Sequence, residues 1–303
     1  MNSLASIEEA YSYCESVTRR HAKSFHFAAS FLPKSKQRLV FPIYAFCRHV
    51  DDEIDELPEG DEASALRAVS RWQDLLEQVY AGGFKECGRG GSSSITREQS
   101  LVFIAWDDLL SKHPIRKDIP LDLIKGVVQD TVQKRYADFD ELYVYCYRVA
   151  STVGLMSSEI LGYSDPSALK FAEAMGIGMQ LTNILRDIGE DARRGRIYIP
   201  KEDLTKFGLT EDEILSCRMS EAMTEMIKFQ IARARDYYRT GEQGIALLEK
   251  DARFTVLLAS RVYGAILSEI EKQNFDVFAR RAHTTTLQKL LSMPRIYLEA
   301  ARM

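Results

Sequence analysis

Two sets of oxygen-bearing side chains are spaced so that each occupies one face of a helix. The first set is Asp51 and Asp55, and the second is Asn183, Asp187 and Asp191, at four-residue steps. Residues four apart lie on the same helical face, so each set forms a polar stripe. Carboxylate and amide oxygens suit Mg²⁺, a hard cation that completes its coordination with water and phosphate oxygens. Two such stripes facing each other would hold metal ions together with a polyphosphate.

Each stripe also has an ordinary explanation. Asp51 and Asp55 fit a solvated acidic helix end, and the second stripe fits a helix face that points to water. The second stripe is harder to explain in this way, because Leu181, Ile184 and Ile188 occupy the other faces of the same segment. Buried carboxylates are costly unless they are paired or bound to metal. The two stripes together are therefore much more specific than either one alone.

Basic side chains accompany both stripes. Arg48 precedes the first stripe, and the second is surrounded by Arg186, Arg193, Arg194 and Arg196. Guanidinium groups bind phosphate through paired hydrogen bonds, which favours a phosphate-bearing ligand. Ion pairs with neighbouring carboxylates on the same helix are the alternative for each arginine taken singly.

Apolar residues at helical spacing dominate the chain and predict the elements that position these side chains. Ser6 and Glu9 form a capping box for a first helix. Further helices are predicted over 39–50, 66–80, 121–135, 142–161 and 165–191, an extended piece over 196–200, and two or three more helices from residue 211 onward. No alternating run with hairpin turns occurs, so the prediction is an all-α fold. The Gly- and Ser-rich stretch 82–96 is predicted to be a mobile loop, too short to separate two domains.

The composition excludes several classes of protein. The chain has 303 residues, of which 46% are hydrophobic, and a formal net charge of −4. These are ordinary globular values that exclude wholesale disorder and give no support to a nucleic-acid partner. The five cysteines are scattered and contain no CxxC pair, which argues against a disulfide framework or a zinc site. Early acids without an apolar core argue against a signal peptide, so we expect a cytoplasmic protein and leave a peripheral membrane contact open.

Taken together, the motifs resemble the squalene/phytoene synthase family over nearly the whole chain. The segments that carry the resemblance stand in the family's order: HAKSF at 21–25, YAFCRHVDDEID at 44–55, RYADFDELYVYCYRVASTVG at 135–154 and QLTNILRDIGEDARRGRIYIP at 180–200. The tail at 274–298 is most similar to the phytoene synthase branch. Ser151 departs from the pattern, since the family usually has glycine there. Because serine is small, we expect a modest effect.

The resemblance implies a single isoprenoid synthase domain over 1–303, an all-α bundle around a central cavity. The family's metal positions, which would bind Mg²⁺ or Mn²⁺ in its place, fall on Asp51, Asp55, Asn183, Asp187 and Asp191. Its catalytic positions fall on Tyr44, Tyr145, Asp51, Asp55, Asp187 and Asp191. Its substrate-binding positions fall on Lys23, Ser24, Arg48, Tyr145, Gln180, Asn183, Arg196, Tyr198, Tyr263 and Arg280.

The implied reaction joins two prenyl diphosphates head to head. Ala28 and Ala29, small residues beside HAKSF, would leave depth for C20 chains and favour geranylgeranyl diphosphate as substrate and phytoene as product. Dehydrosqualene, squalene and presqualene diphosphate synthases stay open as C30 alternatives, and only squalene formation would need NADPH. A non-catalytic scaffold relative is the alternative of another class, but it should have lost metal carboxylates that are all present here. Monomer and homodimer both stay open.

Overall fold

The computed structural model describes residues 6–55, 62–82 and 95–303, and the regular structure in these ranges is helical. The predicted all-α fold is confirmed. The first seven helices are α1 (Ile7–His21), α2 (Lys23–Ala29), α3 (Lys34–Asp55), α4 (Glu62–Tyr80), α5 (Arg97–Lys112), α6 (Asp118–Val132) and α7 (Phe139–Cys146). A π-helical segment (Tyr147–Ser151) joins α7 directly to the second half.

The second half is built around its longest helix, α9. The helices are α8 (Thr152–Leu161), α9 (Ala168–Arg193), α10 (Lys201–Lys206), α11 (Glu211–Leu215), α12 (Glu221–Gln243), α13 (Lys250–Lys272) and α14 (Thr286–Ala300), with a 3₁₀ turn at Ile245–Leu247. The one bridge between extended residues in the described part pairs Tyr163 with Leu248. In the same ranges no helix is long and apolar enough to cross a lipid bilayer.

Several sequence predictions differ from the structure in detail. Four helices, α11 to α14, lie from residue 211 onward, where two or three were predicted. The helix predicted over 142–161 is interrupted by the π-helical segment, which apolar periodicity does not distinguish from α-helix. Helix α5 was not assigned from sequence, although Thr96 and Gln99 form a reciprocal capping box at its start. Of the predicted mobile loop 82–96, residues 83–94 lie outside the described residues.

Two hydrophobic clusters fill the interior. The N-terminal cluster contains an aromatic group in which the Phe46 ring lies 5.5 Å from Trp72 and 5.0 Å from Trp106. The C-terminal cluster surrounds α9 and α12. Tyr147 and Val256 pack against both clusters, so the two are continuous at these points. That the whole chain is one domain stays a prediction.

Glycines let α9 approach its neighbours closely. A Cβ placed on Gly176 would lie 2.5 Å from the Ser151 Cα of the π-helical segment. A Cβ on Gly241 of α12 would lie 2.9 Å from the backbone nitrogen of Met175. Real side chains do not tolerate such distances. These glycines therefore set how closely α9, which carries the second polar stripe, packs against the π-helical segment and α12.

Candidate active site

Asn183 is the first residue of the polar stripe of α9, and its side-chain oxygen lacks a hydrogen-bond donor among the described residues. Its Nδ2 donates to Gln180 Oε1 at 3.1 Å. Its Oδ1 is buried, and no described residue donates a hydrogen bond to it. A buried acceptor without a partner costs about 1–3 kcal/mol. A cation or a donor from a ligand would remove this cost.

Asp187, one turn further along α9, is held by two arginines. Arg186 donates at 2.8 and 2.6 Å, and Arg281 donates at 2.6 and 3.0 Å, each guanidinium contacting both carboxylate oxygens. Burial raises the pKa of Asp187, but these hydrogen bonds outweigh burial and hold it below its usual value. Asp187 is therefore ionised at every pH at which the protein is expected to work.

Asp191 has the opposite electrostatic environment on the same helix face. Burial, followed by the charges of Asp187 and Asp130, raises the pKa of Asp191 to about 7. Arg196 and Arg194 oppose this rise without cancelling it. Neighbouring carboxylates with pKa values shifted apart are typical of functional sites. The surplus of negative charge at Asp191 fits a site for a divalent cation.

Asp130 of α6 connects several residues that the sequence placed at the site. Its carboxylate accepts hydrogen bonds from Arg196 Nη1 at 2.9 Å and from Tyr198 Oη at 2.5 Å. The Tyr145 hydroxyl lies close enough to the same carboxylate to feel its charge, and the Tyr145 and Tyr198 rings are 5.4 Å apart. Burial, and then the charge of Asp130, keeps the pKa of both tyrosines high, so both hydroxyls remain protonated.

Sequence reasoning missed Asp130. The available signal was a carboxylate inside the apolar helix predicted over 121–135, where an acid needs a partner. Nothing in the sequence named that partner, because Arg196 and Tyr198 lie 66 and 68 residues away along the chain.

Helix α3 presents Tyr44, Arg48 and Asp51 on one face. The Arg48 guanidinium lies 3.6 Å from Asp51 and also contacts Asp52, while its buried Nε finds no hydrogen-bond partner among the described residues. The Tyr44 ring stacks on Phe25 with centroids 5.9 Å apart, and burial raises the pKa of Tyr44 to about 12. Asp55 is the last residue of α3, but its side chain lies outside the described residues.

Tyr263 of α13 is close enough to Tyr44 on α3 and to Arg186 on α9 to act electrostatically on both. That the two stripes face a common region stays a prediction. We call the group formed by Asp51, Asp130, Asn183, Asp187 and Asp191 the acidic site.

Three further predicted residues lie at the edges. Ser24 accepts a hydrogen bond from Lys289 Nζ at 2.8 Å, and Lys23 is exposed at the beginning of α2. Arg280 is exposed, and its Nε donates to Gln273 at 3.0 Å. It is the adjacent Arg281 that reaches Asp187. Sequence reasoning missed this role for Arg281.

A separate apolar cavity opens beside the acidic site. Its volume is about 190 Å³, and the residues that line it include Ala28, Ala29, Gly154 and Gly176. Phe25 joins the two regions, because its ring lines this cavity and also stacks on Tyr44. We call this space the apolar cavity, and its walls of alanine, glycine and aliphatic side chains suit a hydrocarbon chain.

The acidic site fits a divalent cation, although its ligands are not preassembled. Among the described residues, no three His, Cys, Asp or Glu side chains converge on one point. Both oxygens of Asp187 are occupied by arginines, and the amide of Asn183 adds a ligand of another type. The orphaned Asn183 oxygen and the excess charge at Asp191 support cation binding, with coordination completed by a ligand's oxygens.

Comparisons with known proteins agree with this geometry. A family model described as squalene/phytoene synthase matches residues 18–288. A 15-cis-phytoene synthase of Synechococcus elongatus is 37% identical over 311 residues, covering 98% of this chain and 95% of that protein. A phytoene synthase of Arthrospira platensis is 38% identical over 315 residues, covering 99% and 96%. A crystal structure of a dehydrosqualene synthase in complex with ligand superposes with a TM-score of 0.83 at 28% identity, covering 97% of this chain and 98% of that one.

Proposed function

Because this chain belongs to the squalene/phytoene synthase family, we propose that it condenses two geranylgeranyl diphosphates head to head into phytoene. Full-length similarity to phytoene synthases supports this most strongly. The acidic site beside an apolar cavity supports it independently, because a prenyl diphosphate has one end that suits each region. The product would be a hydrocarbon, and diphosphate would be released.

The diphosphate ends would bind at the acidic site together with Mg²⁺, for which Mn²⁺ would substitute. The residues that would hold the metal are Asp51, Asp55, Asn183, Asp187 and Asp191. When bound, the metal supplies positive charge that makes diphosphate a better leaving group. Arg48, Lys23 and Arg280 would add charge to the same oxygens, and Arg281 would exchange its contact with Asp187 for one with substrate.

The first chemical step would be departure of diphosphate from one substrate, which leaves an allylic carbocation. The C2–C3 double bond of the second substrate attacks this cation, and proton loss closes a cyclopropyl carbinyl diphosphate. A second ionisation, rearrangement and proton loss then give the linear product. Tyr44, Tyr145 and Tyr263 would present ring faces, which stabilise a passing cation through the ring quadrupole.

Asp130 would act as a positioning residue for this chemistry. Its carboxylate accepts hydrogen bonds from the Tyr198 hydroxyl and the Arg196 guanidinium and lies close to Tyr145, whose ring stacks on that of Tyr198. Both phenols stay protonated at neutral pH, because burial and this carboxylate raise their pKa. A neutral phenol keeps its ring beside the cation without offering a reactive phenolate.

The apolar cavity would exclude water and set the chain length. Water would quench a carbocation, so predominantly apolar walls protect the intermediate, and the polar side chains among the lining residues are those of Ser157, Ser158 and Thr255. Ala28 and Ala29 stand on the wall contributed by α2. Their small side chains leave room for C20 rather than C15 tails. NADPH is not expected to take part, because phytoene formation ends in proton loss rather than reduction.

A C30 synthase that uses two farnesyl diphosphates is the second candidate. Structural similarity to a dehydrosqualene synthase, at a TM-score of 0.83, favours it. A non-catalytic scaffold is disfavoured, because such a relative has no need to retain all the acids of both stripes. A cytoplasmic location, a monomeric or homodimeric state and a peripheral membrane contact stay predictions.

Product analysis tests the proposal. Purified protein with Mg²⁺ receives geranylgeranyl or farnesyl diphosphate separately, each with and without NADPH, beside an Asp187→Asn control. Phytoene from the C20 substrate, independent of NADPH, is the expected result. A C30 product from farnesyl diphosphate alone would show that the protein is a C30 synthase instead. Dependence on NADPH would then separate squalene from dehydrosqualene formation. Absence of product from a folded protein that binds Mg²⁺ would support the scaffold.

A further inference from the structure

Helix α14 carries a row of exposed leucines along its outer face. Leu287, Leu291 and Leu298 are 65%, 72% and 57% exposed. They stand at i, i+4 and i+11, which places them within a narrow sector of the helix. Leu290, 49% exposed, extends the row on one side. We call this row the leucine stripe.

The opposite face of α14 is the apolar face that packs against the rest of the protein. Ile296 and Ala300 are buried there against the C-terminal cluster. A surface helix of a globular protein needs only one apolar face. A second, contiguous apolar face that points away from the protein marks a surface for a partner or a membrane.

The charges beside the leucine stripe are positive. Arg295 of α14 and Arg302, in the turn that follows the helix, are both exposed. The sequence of α14 contains one acid, Glu299, and its carboxylate accepts a hydrogen bond from Arg261 at 2.7 Å. Exposed leucines flanked by arginines match the requirements of an anionic lipid surface, which takes apolar side chains below its headgroups and cations beside them.

Helix α14 also lies against the walls of the apolar cavity. Its Lys289 contacts Ser24 of α2, and its Tyr297 ring lies 5.5 Å from Phe254 of α13. Phe254 in turn lies 5.3 Å from Phe31, just after α2. Helices α2 and α13 both line the apolar cavity. The leucine stripe is therefore one layer of helices away from the space that we assign to the prenyl chains.

We propose that α14 is the membrane-docking element, with the leucine stripe inserted into an anionic bilayer next to the helices that wall the apolar cavity. A bilayer fits better than a second copy of the chain, because a second copy would present the same leucines and cations and, in α14, a single acid that Arg261 already holds. The role of the bilayer in product release rests on the proposed function. Docking itself depends only on the leucines of α14 and on Arg295 and Arg302.

Vesicle flotation tests docking without substrate. The protein is mixed with vesicles of phosphatidylcholine alone or of phosphatidylcholine with phosphatidylglycerol. We expect binding to the anionic vesicles, and a loss of at least about tenfold in partitioning for the triple variant Leu287→Ser, Leu291→Ser, Leu298→Ser. The double variant Arg295→Gln, Arg302→Gln should lose the preference for anionic lipid. Leu66→Ser is the matched control, because Leu66 is 61% exposed on the distant α4.

Circular dichroism and melting temperature establish that each variant is folded, and light scattering reports its mass. Binding by the triple variant equal to that of the unchanged protein, or an equal loss in Leu66→Ser, would overturn docking through α14. A dimer that becomes monomeric only in the triple variant would assign the leucine stripe to a second copy instead. Turnover in detergent solution reports the proposed function separately, because it does not depend on vesicles.

Discussion

Opposite charges hold the side chains of the acidic site in place, whereas the apolar cavity is shaped by side chains that are small or missing. Asp187 accepts hydrogen bonds from two guanidinium groups, and Asp130 accepts them from one guanidinium and from the Tyr198 phenol. Ala28 and Ala29 line the cavity with small side chains, and Gly154 and Gly176 let the helices around it pack closely. The difference indicates that changes in the acidic site alter rate and ion dependence, while changes in the cavity alter which chain fits.

The largest expected effect comes from Asp187→Asn. The change removes the charge that balances Arg186 and Arg281 and, on the proposed function, a metal ligand. We expect turnover to fall by about 10³-fold or more, with the helical content retained. Steady-state product formation and circular dichroism measure the two parts. The control is Glu190→Gln, three residues further on the same helix, half exposed and 3.8 Å from the same Arg281. An equal loss in the control would mean that balancing the charge of Arg281 matters, and that Asp187 has no special role as a metal ligand.

The next effect, on the cavity side, comes from Ala29→Phe. A phenyl ring in the wall would shorten the space for a prenyl tail. Turnover of the C20 substrate should fall by about 10- to 100-fold, while a C15 substrate should be used as well as before or better. Competition between the two substrates in one reaction gives the ratio directly. The Mg²⁺ concentration for half-maximal rate should not change. A change in that concentration would show that the two regions are coupled.

Protonation of Asp191 should make ion binding in the acidic site depend on pH. Its pKa is raised to about 7 by burial and by the nearby acids, so below this pH a cation must displace a proton to bind. The Mg²⁺ concentration for half-saturation should rise by about tenfold per pH unit below 7 and level off above it. Titration of metal binding from pH 5.5 to 8.5 measures this. A flat profile would mean that Asp191 is not a ligand.

The same shift predicts how the metal-free protein responds to pH. Because the folded state holds a proton on Asp191 that the unfolded chain releases near its ordinary pKa, the folded state binds more protons between these two pKa values. The contribution of Asp191 to stability is therefore lost as pH rises toward 7. Asp191→Asn should remove that contribution to the pH dependence of the melting temperature.

Ser151→Gly should give the smallest effect. The change removes the hydrogen bond from Ser151 Oγ to the Glu173 carbonyl oxygen, which is 2.8 Å long. It also adds backbone freedom, so we expect a loss of about 1 kcal/mol in the free energy of unfolding. Turnover should stay within about threefold, because Ser151 lies behind the cavity wall rather than in it. Urea denaturation and a rate assay on the same preparation test both values.

Features that depend on local periodicity were predictable from the sequence. The helices and the polar stripe of α9 follow from apolar and polar residues three and four apart, because helical geometry fixes their faces. The role of Asp130 depended on contacts made far along the chain, which periodicity does not encode. The contact between Arg281 and Asp187 joins residues 94 apart along the chain, which periodicity does not encode either.

The π-helical segment changes the rotational register between α7 and α8, which it joins into one continuous helix. A wider turn takes one more residue than an α-helical turn, and each residue advances a helix by about 100°. The side chains before Tyr147–Ser151 are thereby rotated relative to those after it. Tyr145 can therefore face Asp130 while Gly154 lines the apolar cavity. One continuous helix thus contributes residues to both regions. Deletion of one residue from the π-helical segment would rotate these residues out of register without removing any of their side chains.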